Sequence, residues 1–318
     1  MNASTSPEPF ESPGTGDMIL RSVDNTDFYV IKSLLRISSP VFDDMCSLNR
    51  GEASEKNESQ DGLPIVTLPE DGATLKQLLV QIYPGAHTNA QAVTSNLELF
   101  LQVAAAAQKY DIQSVNERMR NHLSASQAMV LEPLRVYAIA VNLCWDNVAR
   151  TAAMNMLDKP LHDLHYVNEL NYLSAAGYHR LLEHRFKCEN AVQDMLKQNT
   201  MLDHLRRLNV DIGPSGDRKP LCDFINMVAK RAKDQPRGWV ALDDSILNRI
   251  FTNVNNPVQP GTLSKYQLLL HRRKDIAAAI EAAIEKVPLE IKSSCKLENE
   301  GKQNFSSVLA DGWKKMRS

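Results

Sequence analysis

The sequence predicts an α+β fold at its amino-terminal end and an all-α region after it. Three observations predict this order. Apolar residues alternate along residues 18–23 and recur in residues 27–30 and 65–68, which is typical of strands. Apolar residues recur at helical spacing between residues 31 and 123, and no strong strand pattern follows residue 125. We therefore expect a small three-stranded sheet flanked by about five helices, followed by helices alone.

The first two strands are predicted to form a hairpin. Asp24-Asn25 supplies the turn between them, because both residues tolerate the backbone conformations of tight turns. The stretch 48–62 is polar and charged, and it is expected to be a solvated loop before the third strand.

Capping residues mark where the first helices begin. A short helix is predicted at residues 31–37. Ser39 is expected to cap the next helix, with Pro40 at its first position, where a missing N–H costs nothing. Asp71 is expected to cap a helix over residues 73–83.

Pro84-Gly85 ends that helix, and Thr94 or Ser95 is expected to cap the following one. The two helices that come next each carry one apolar stripe. These stripes are Leu97, Phe100, Leu101, Ala104 and Gln108 in the first helix, and Ile112, Val115, Met119 and Leu123 in the second.

The chain divides by composition into three parts. Residues 1–16 are rich in Ser, Pro and Glu and are expected to be a disordered arm. Residues 17–125 form the α+β domain, and residues 126–318 form the helical region, with a sub-boundary near 213–219. In that region Ser174 is expected to cap a long helix, whose apolar anchors would be Tyr178, Leu181, Leu182 and Phe186. Later helices are predicted near residues 220–232, 243–254, 262–272, 273–286 and 305–316.

Composition favours a soluble intracellular protein, cytoplasmic or nuclear. The formal net charge of −2 gives no global attraction to nucleic acid or anionic lipid. The five cysteines are odd in number and show no CxxC spacing, which predicts free thiols in a reducing compartment. The first 16 residues do not resemble a signal peptide, and the longest apolar run, residues 99–107, is too short for a bilayer.

The sequence carries none of the common catalytic signatures, namely the Walker loop, GxGxxG, GxSxG and HExxH. His184 and Cys188 share a helix face, but a tight zinc site needs three or four ligands, so no metal or cofactor is predicted. An enzyme with a site in residues 160–290, using His179, His184 or Asp203, is one alternative. A transcription-related nuclear regulator is another, because basic residues cluster at positions such as 271–274. Acidic residues nearby favour solvated helix faces over nucleic-acid binding.

The order of particular residues in the amino-terminal part resembles the BTB/POZ domain. The strand-and-helix part of that pattern is matched by Asp17, Phe28, Lys32, Leu34, Leu35, Ser39, Pro40, Phe42 and Met45. The helical part is matched by Leu78, Leu79, Ile82, Tyr83, Gly85, Ala105, Ala106, Tyr110 and Ile112. Ile31 stands where the family usually has histidine. The whole chain resembles the BTB-domain proteins abundant in mushroom-forming fungi.

This resemblance implies a non-catalytic protein–protein interaction module that acts as an adaptor. It implies a homodimer formed through the first strands and the first helices, with contacts from Met18, Leu20, Leu34, Phe42 and Met45. Asp17 would lie near that surface, paired with Lys32 or Arg36. It also implies docking on a cullin-type ubiquitin ligase scaffold through the helices near residues 71–123. The family's hydrophobic-x-Glu contact corresponds to Leu75-Lys76-Gln77, in which Gln77 replaces the glutamate.

Overall fold

A computed structural model describes residue 10 and residues 16–48, 59–83, 96–208, 219–252 and 262–291. The strands are β1 (Met18–Arg21), β2 (Asp27–Val30), β3 (Ser59–Gln60) and β4 (Leu63–Thr67). The first eight helices are α1 (Lys32–Ser38), α2 (Pro40–Leu48), α3 (Gly72–Ile82), α4 (Leu97–Lys109), α5 (Gln113–Ala125), α6 (Ala128–Leu131), α7 (Pro133–Asn142) and α8 (Asp146–Met156). The later helices are α9 (Ala175–Met195), α10 (Gln198–Arg207), α11 (Lys219–Ala232), α12 (Asp244–Thr252) and α13 (Thr262–Glu285). Short 3-10 helices span Leu161–Asp163, Asn168–Tyr172 and Gly238–Leu242.

The strands form one mixed sheet in the order β2-β1-β4-β3. Strand β1 pairs antiparallel with β2, placing Met18 opposite Val30, and parallel with β4. The predicted α+β class is confirmed, but the predicted count of three strands is wrong, because β3 pairs with β4 as a fourth strand. Asp61 and Gly62 connect these two strands with φ of 56° and 75°. Two consecutive residues at positive φ suit a two-residue hairpin, which is why the polar stretch yields a strand here.

The sheet is buried by helices whose apolar stripes were predicted. Ile19 and Leu20 in the central strand β1 are fully buried. Helix α3 packs on α4, and α4 packs on α5. Every apolar member of the two predicted stripes is buried, namely Leu97, Phe100, Leu101, Ala104, Ile112, Val115, Met119 and Leu123. A sheet this small depends on that cover, because few strands with one bare apolar face do not persist in water.

Three of the predicted helix caps are confirmed. Ser39 Oγ accepts from the Phe42 N–H at 3.0 Å, Asp71 Oδ1 accepts from the Thr74 N–H at 2.7 Å, and Ser174 Oγ accepts from the Gly177 N–H at 3.1 Å. Each side chain satisfies a backbone donor that the first helical turn leaves without a partner.

The cap of α4 is Asn96, whose Oδ1 accepts from the Leu99 N–H at 3.2 Å. Thr94 and Ser95, the predicted caps, lie outside the described residues, as do Pro84-Gly85, the breaker at 213–217 and the segment 292–318. Within the arm expected to be disordered, the structure describes only Phe10 and Gly16.

The chain forms two compact units, residues 1–148 and 149–318. In the described part of the second unit every regular element is helical. The helices predicted at 262–272 and 273–286 are one continuous helix, α13. On α9, Leu181 is buried as expected, but Phe186 is 49% exposed and is therefore not a core anchor. Leu181 and Phe186 are five residues apart, which places them on different faces of a 3.6-residue helix.

The cysteines depart in part from the prediction of free thiols. Cys46, Cys188 and Cys222 are free. Cys144 is disulfide-bonded, so the prediction is wrong at this position. Cys295 lies outside the described residues. The search for CxxC spacing finds only pairs that are close in sequence, and it cannot detect a bridge between distant positions.

A buried arginine forms hydrogen bonds at and after the carboxyl ends of two helices in the second unit. Arg185 of α9 is 5% exposed, and its guanidinium donates to three backbone carbonyl oxygens. These acceptors are Met156 O at 2.7 Å, Lys159 O at 2.8 Å and Asp234 O at 2.7 Å. The contacts satisfy carbonyls at and after the carboxyl ends of α8 and α11, where the helices themselves provide no donor.

Replacing Arg185 should therefore strongly destabilise the second unit. We expect Arg185→Ala to lower the free energy of unfolding by about 3–5 kcal/mol, because it leaves buried carbonyls without donors. Urea denaturation followed by circular dichroism measures the change. The control is Arg206→Ala, since Arg206 makes an exposed pair with Asp203, which is worth at most about 1 kcal/mol. Equal effects of the two substitutions would contradict this role of Arg185.

Candidate interaction surface

Helix α1 has an inward and an outward face. Leu35 is fully buried. Ile37 lies two residues later, about 200° further round the helix, and is 84% exposed. Leu34, one turn before Ile37, is half-buried, as are Val41 and Met45, which lie one turn apart on α2. Helices α1 and α2 pack against each other. We call Leu34, Ile37, Val41 and Met45 the α1–α2 surface.

The α1–α2 surface rests on a polar and aromatic cluster in the core. The ring of Phe42 stacks on that of Tyr110, with centroids 4.7 Å apart and an interplanar angle of 17°. Ser39 Oγ donates to Tyr110 O while it caps α2. The Tyr110 hydroxyl donates to Glu70 Oε2, and Lys109 Nζ lies 2.7 Å from Glu70 Oε1. Burial and the neighbouring Glu70 raise the pKa of Tyr110, so its hydroxyl stays a donor.

Asp17 caps helix α1 from outside the helix. Its Oδ1 accepts from the backbone N–H of Lys32 at 2.6 Å. The N-cap residue itself, Ile31, provides no side-chain cap, so Asp17 supplies the acceptor and places a negative charge at the helix amino end. The predicted partner was the side chain of Lys32 or Arg36. Arg36 instead pairs with Asp43, with its Nε 2.5 Å from Asp43 Oδ1.

Ile31 occupies the position where a histidine was expected, and its backbone is satisfied by a neighbour. The Ile31 N–H donates to the Tyr83 hydroxyl oxygen at 2.7 Å. The Ile31 side chain is half-buried. The aliphatic residue therefore contributes volume at this position, and Tyr83 meets the local hydrogen-bonding requirement.

The structure places the eight predicted contact residues in three settings. Three lie at the molecular surface around α1 and α2, either exposed or half-buried: Asp17, Leu34 and Met45. Three are buried beneath that surface in the core of the domain: Met18, Leu20 and Phe42. The remaining two are on α3, where Leu75 is fully buried and Gln77 is half-buried. The Gln77 Oε1 atom is enclosed and has no hydrogen-bond partner within the described residues.

Sequence reasoning missed the most exposed apolar side chain of this surface, Ile37, and its neighbour Val41. The signal was present in the helical period. Once Leu35 is assigned to the core, a residue two positions later must point away from it. Family motifs do not contain this information, because they mark residues that the fold requires, and these are mostly buried.

The three residues named for the alternative enzyme site differ in exposure. His184 is 4% exposed, whereas His179 and Asp203 are exposed. Cys188 Sγ lies 3.5 Å from His184 Nε2. Burial raises the pKa of Cys188 to about 11, which keeps the thiol protonated at neutral pH and hence a poor nucleophile. Within the described ranges, no group of three His, Cys, Asp or Glu residues is placed to hold a metal ion.

Three of the described basic residues in the second unit pair with carboxylates. Arg206 pairs with Asp203 at 2.6 Å, Arg272 with Asp275 at 3.4 Å, and Arg273 with Asp244. Paired basic residues offer a polyanion less attraction than a continuous basic face would. In the part of the chain that the structure describes, no helix combines the length and apolar character that crossing a bilayer requires.

The amino-terminal part of the chain matches a known domain family. The family model of the BTB/POZ domain matches residues 8–127. This range contains the whole sheet, helices α1 to α5 and the α1–α2 surface. No curated protein matches the chain in sequence.

His184 should make the stability of the second unit depend on pH. Burial lowers the pKa of His184 from 6.5, although a hydrogen bond with the Val287 backbone acts in the opposite direction. Below about pH 6.5 the unfolded chain therefore takes up a proton that the folded chain does not bind. We expect the free energy of unfolding to fall as the pH drops through 6.5 towards the lower pKa of the folded state.

Urea unfolding measured at several pH values between 7.5 and 5.5 tests this dependence. In a His184→Gln chain the dependence should be smaller, whereas exchanging the exposed His179 for glutamine should leave it as in the natural chain. An unchanged pH dependence in the His184→Gln chain would contradict the assignment.

Proposed function

We propose that this chain, whose residues 8–127 form a BTB/POZ domain and therefore a protein–protein interaction module, is a non-catalytic adaptor that self-associates through its α1–α2 surface. The observation that carries the proposal is the 84% exposure of Ile37 beside three half-buried apolar side chains. Fully burying an aliphatic side chain of this size contributes about 1.5–3 kcal/mol. Apolar side chains that remain accessible on a packed helix pair suit recognition by another protein.

A second copy of the chain is the partner we propose for this surface. In a two-fold dimer the same patch lies on both sides of the interface, so an apolar patch is complementary to itself. Three charged groups of this region have partners within the monomer. Asp17 caps α1, and Arg36 pairs with Asp43. Closing the interface therefore leaves these charges with their partners.

Introducing a charge at the centre of the surface should break the dimer. We expect Ile37→Asp to weaken self-association at least about tenfold, since a buried carboxylate without a partner is costly. Sedimentation equilibrium measures the association. The exposed position of Ile37 means that the monomer should keep its folding stability.

The matched control for this experiment is Val130→Asp. Val130 is 64% exposed and lies on α6 in the same compact unit, away from α1 and α2. The control chain should associate like the natural one. A natural chain that sediments as a monomer at all concentrations, or equal weakening by both substitutions, would exclude the proposed interface.

An adaptor needs a second contact, and we place it on the helices between residues 71 and 123, facing a cullin-type scaffold. Leu75 is fully buried, so its contribution is to hold α3 in place. Lys76 and Gln77 are both half-buried, and Gln77 stands at the position of the motif's glutamate. A carboxylate at this position would match the family's hydrophobic-x-Glu contact more closely.

Gln77→Glu should therefore increase binding to a purified cullin-type scaffold. We expect a gain of about tenfold or less, the usual size of one charge-assisted contact, measured by biolayer interferometry. Gln127→Glu is the control, because it makes the same chemical change at an exposed position outside residues 71–123. Unchanged binding by the Gln77→Glu chain, or an equal gain in the control, would argue against docking through this position.

The proposal also covers the organisation and location of the chain. Residues 17–125 would form the interaction domain, and residues 126–318 a helical region that presents further protein surface. An intracellular location, cytoplasmic or nuclear, suits such an adaptor. We also propose kinship of the whole chain with the BTB-domain proteins of mushroom-forming fungi, which rests on the resemblance of the residues named above.

A further inference from the structure

Phe10 lies inside the domain although its neighbours in sequence are polar or proline. The side chain is 2% exposed. Its ring meets that of Tyr83 edge-on at 5.1 Å between centroids and that of Phe28 at 6.1 Å. It is the only aromatic residue before Phe28 in the sequence. Phe10 therefore fills an aromatic cleft whose walls are Phe28 and Tyr83.

The backbone at Phe10 also joins the sheet. Strand β2 is at the edge of the sheet, and the Tyr29 N–H of that strand donates to Phe10 O at 3.1 Å. Gly16 passes so close to β2 that a Cβ there would lie 3.0 Å from the Tyr29 Cβ and from the Val30 nitrogen. The edge strand β2 therefore forms a backbone hydrogen bond with Phe10 and lies close to the backbone at Gly16.

This combination matches a general mode of peptide recognition. An extended peptide pairs its backbone with an exposed sheet edge, and a pocket for one side chain provides specificity. Here the edge is β2, the pocket is the cleft between Phe28 and Tyr83, and the anchor is an aromatic ring. The Tyr83 hydroxyl accepts from the Ile31 N–H, so the cleft wall is held in place from behind.

We propose that the β2 edge and the Phe28–Tyr83 cleft form a peptide-binding site that the chain occupies with its own Phe10 segment. The ligand class is a short extended peptide that presents an aromatic side chain and a free backbone carbonyl at that residue. Because the Phe10 segment is covalently linked to the domain, its effective concentration at the site is on the order of millimolar. A free peptide therefore competes poorly for the site until the segment is removed. The proposal does not rest on self-association, because the α1–α2 surface contains none of these residues.

Binding of a free peptide to the full chain tests the proposal. The probe is a fluorescein-labelled peptide of residues 6–16, and fluorescence anisotropy reports its binding. The chains are the natural one, Phe10→Ala, and the control Phe186→Ala, which removes the same side chain from an exposed position. We expect the Phe10→Ala chain to bind the probe at least about tenfold more tightly than the other two. A probe carrying the Phe10→Ala change should bind none of them. Equal affinities, or no binding by a folded Phe10→Ala chain, would overturn the proposal.

A second experiment covers the case in which the Phe10→Ala chain does not fold. A site-specific protease sequence replaces residues 11–15, so the chain folds with Phe10 in place before it is cut. After cleavage the protein should exchange its amino-terminal fragment for the labelled probe, whereas the uncut protein should not. A cleaved and folded protein that takes up no probe would overturn the proposal.

Discussion

The stacking of Phe42 on Tyr110 fixes the arrangement of the amino-terminal domain. Tyr110 lies at the carboxyl end of α4, where it accepts from Ser39, donates to Glu70 and packs its ring on α2. The loop before α3, the junction between α1 and α2, and the end of α4 thus meet at one buried residue. Because the cluster combines a ring stack with hydrogen bonds of fixed direction, α2 has one orientation against the core.

The orientation of α2 determines which apolar side chains the domain buries and which it exposes. With Leu35 directed inward, the helical period turns Ile37, two positions later, outward, whereas Leu34 and Met45 are half-buried. The surface that we propose for association is therefore a consequence of how the core is packed. Its rigidity lowers the conformational entropy that a partner must overcome on binding. A BTB/POZ domain of this kind acts through its exterior, and its interior is occupied by packing contacts.

The sequence predicted the parts of the fold that depend on local chemistry. Ser39, Asp71 and Ser174 cap helices as expected, since a short polar side chain before an apolar stripe has few other roles. Long-range contacts were not predictable in this way. Phe10 is surrounded in sequence by polar and proline residues, and its burial depends on a cleft formed by residues far along the chain. The family resemblance likewise implied contacts from Met18, Leu20 and Phe42 without indicating that the monomer buries them.

Hydrogen–deuterium exchange of the full chain, compared at low and high protein concentration, reports whether copies of the chain associate through α1 and α2. If α1 and α2 form the face through which copies associate, amides of residues 32–48 should become more protected at high concentration, and those of α6 should not change. Protection that is independent of concentration at residues 32–48, or that rises only elsewhere in the chain, would contradict the account.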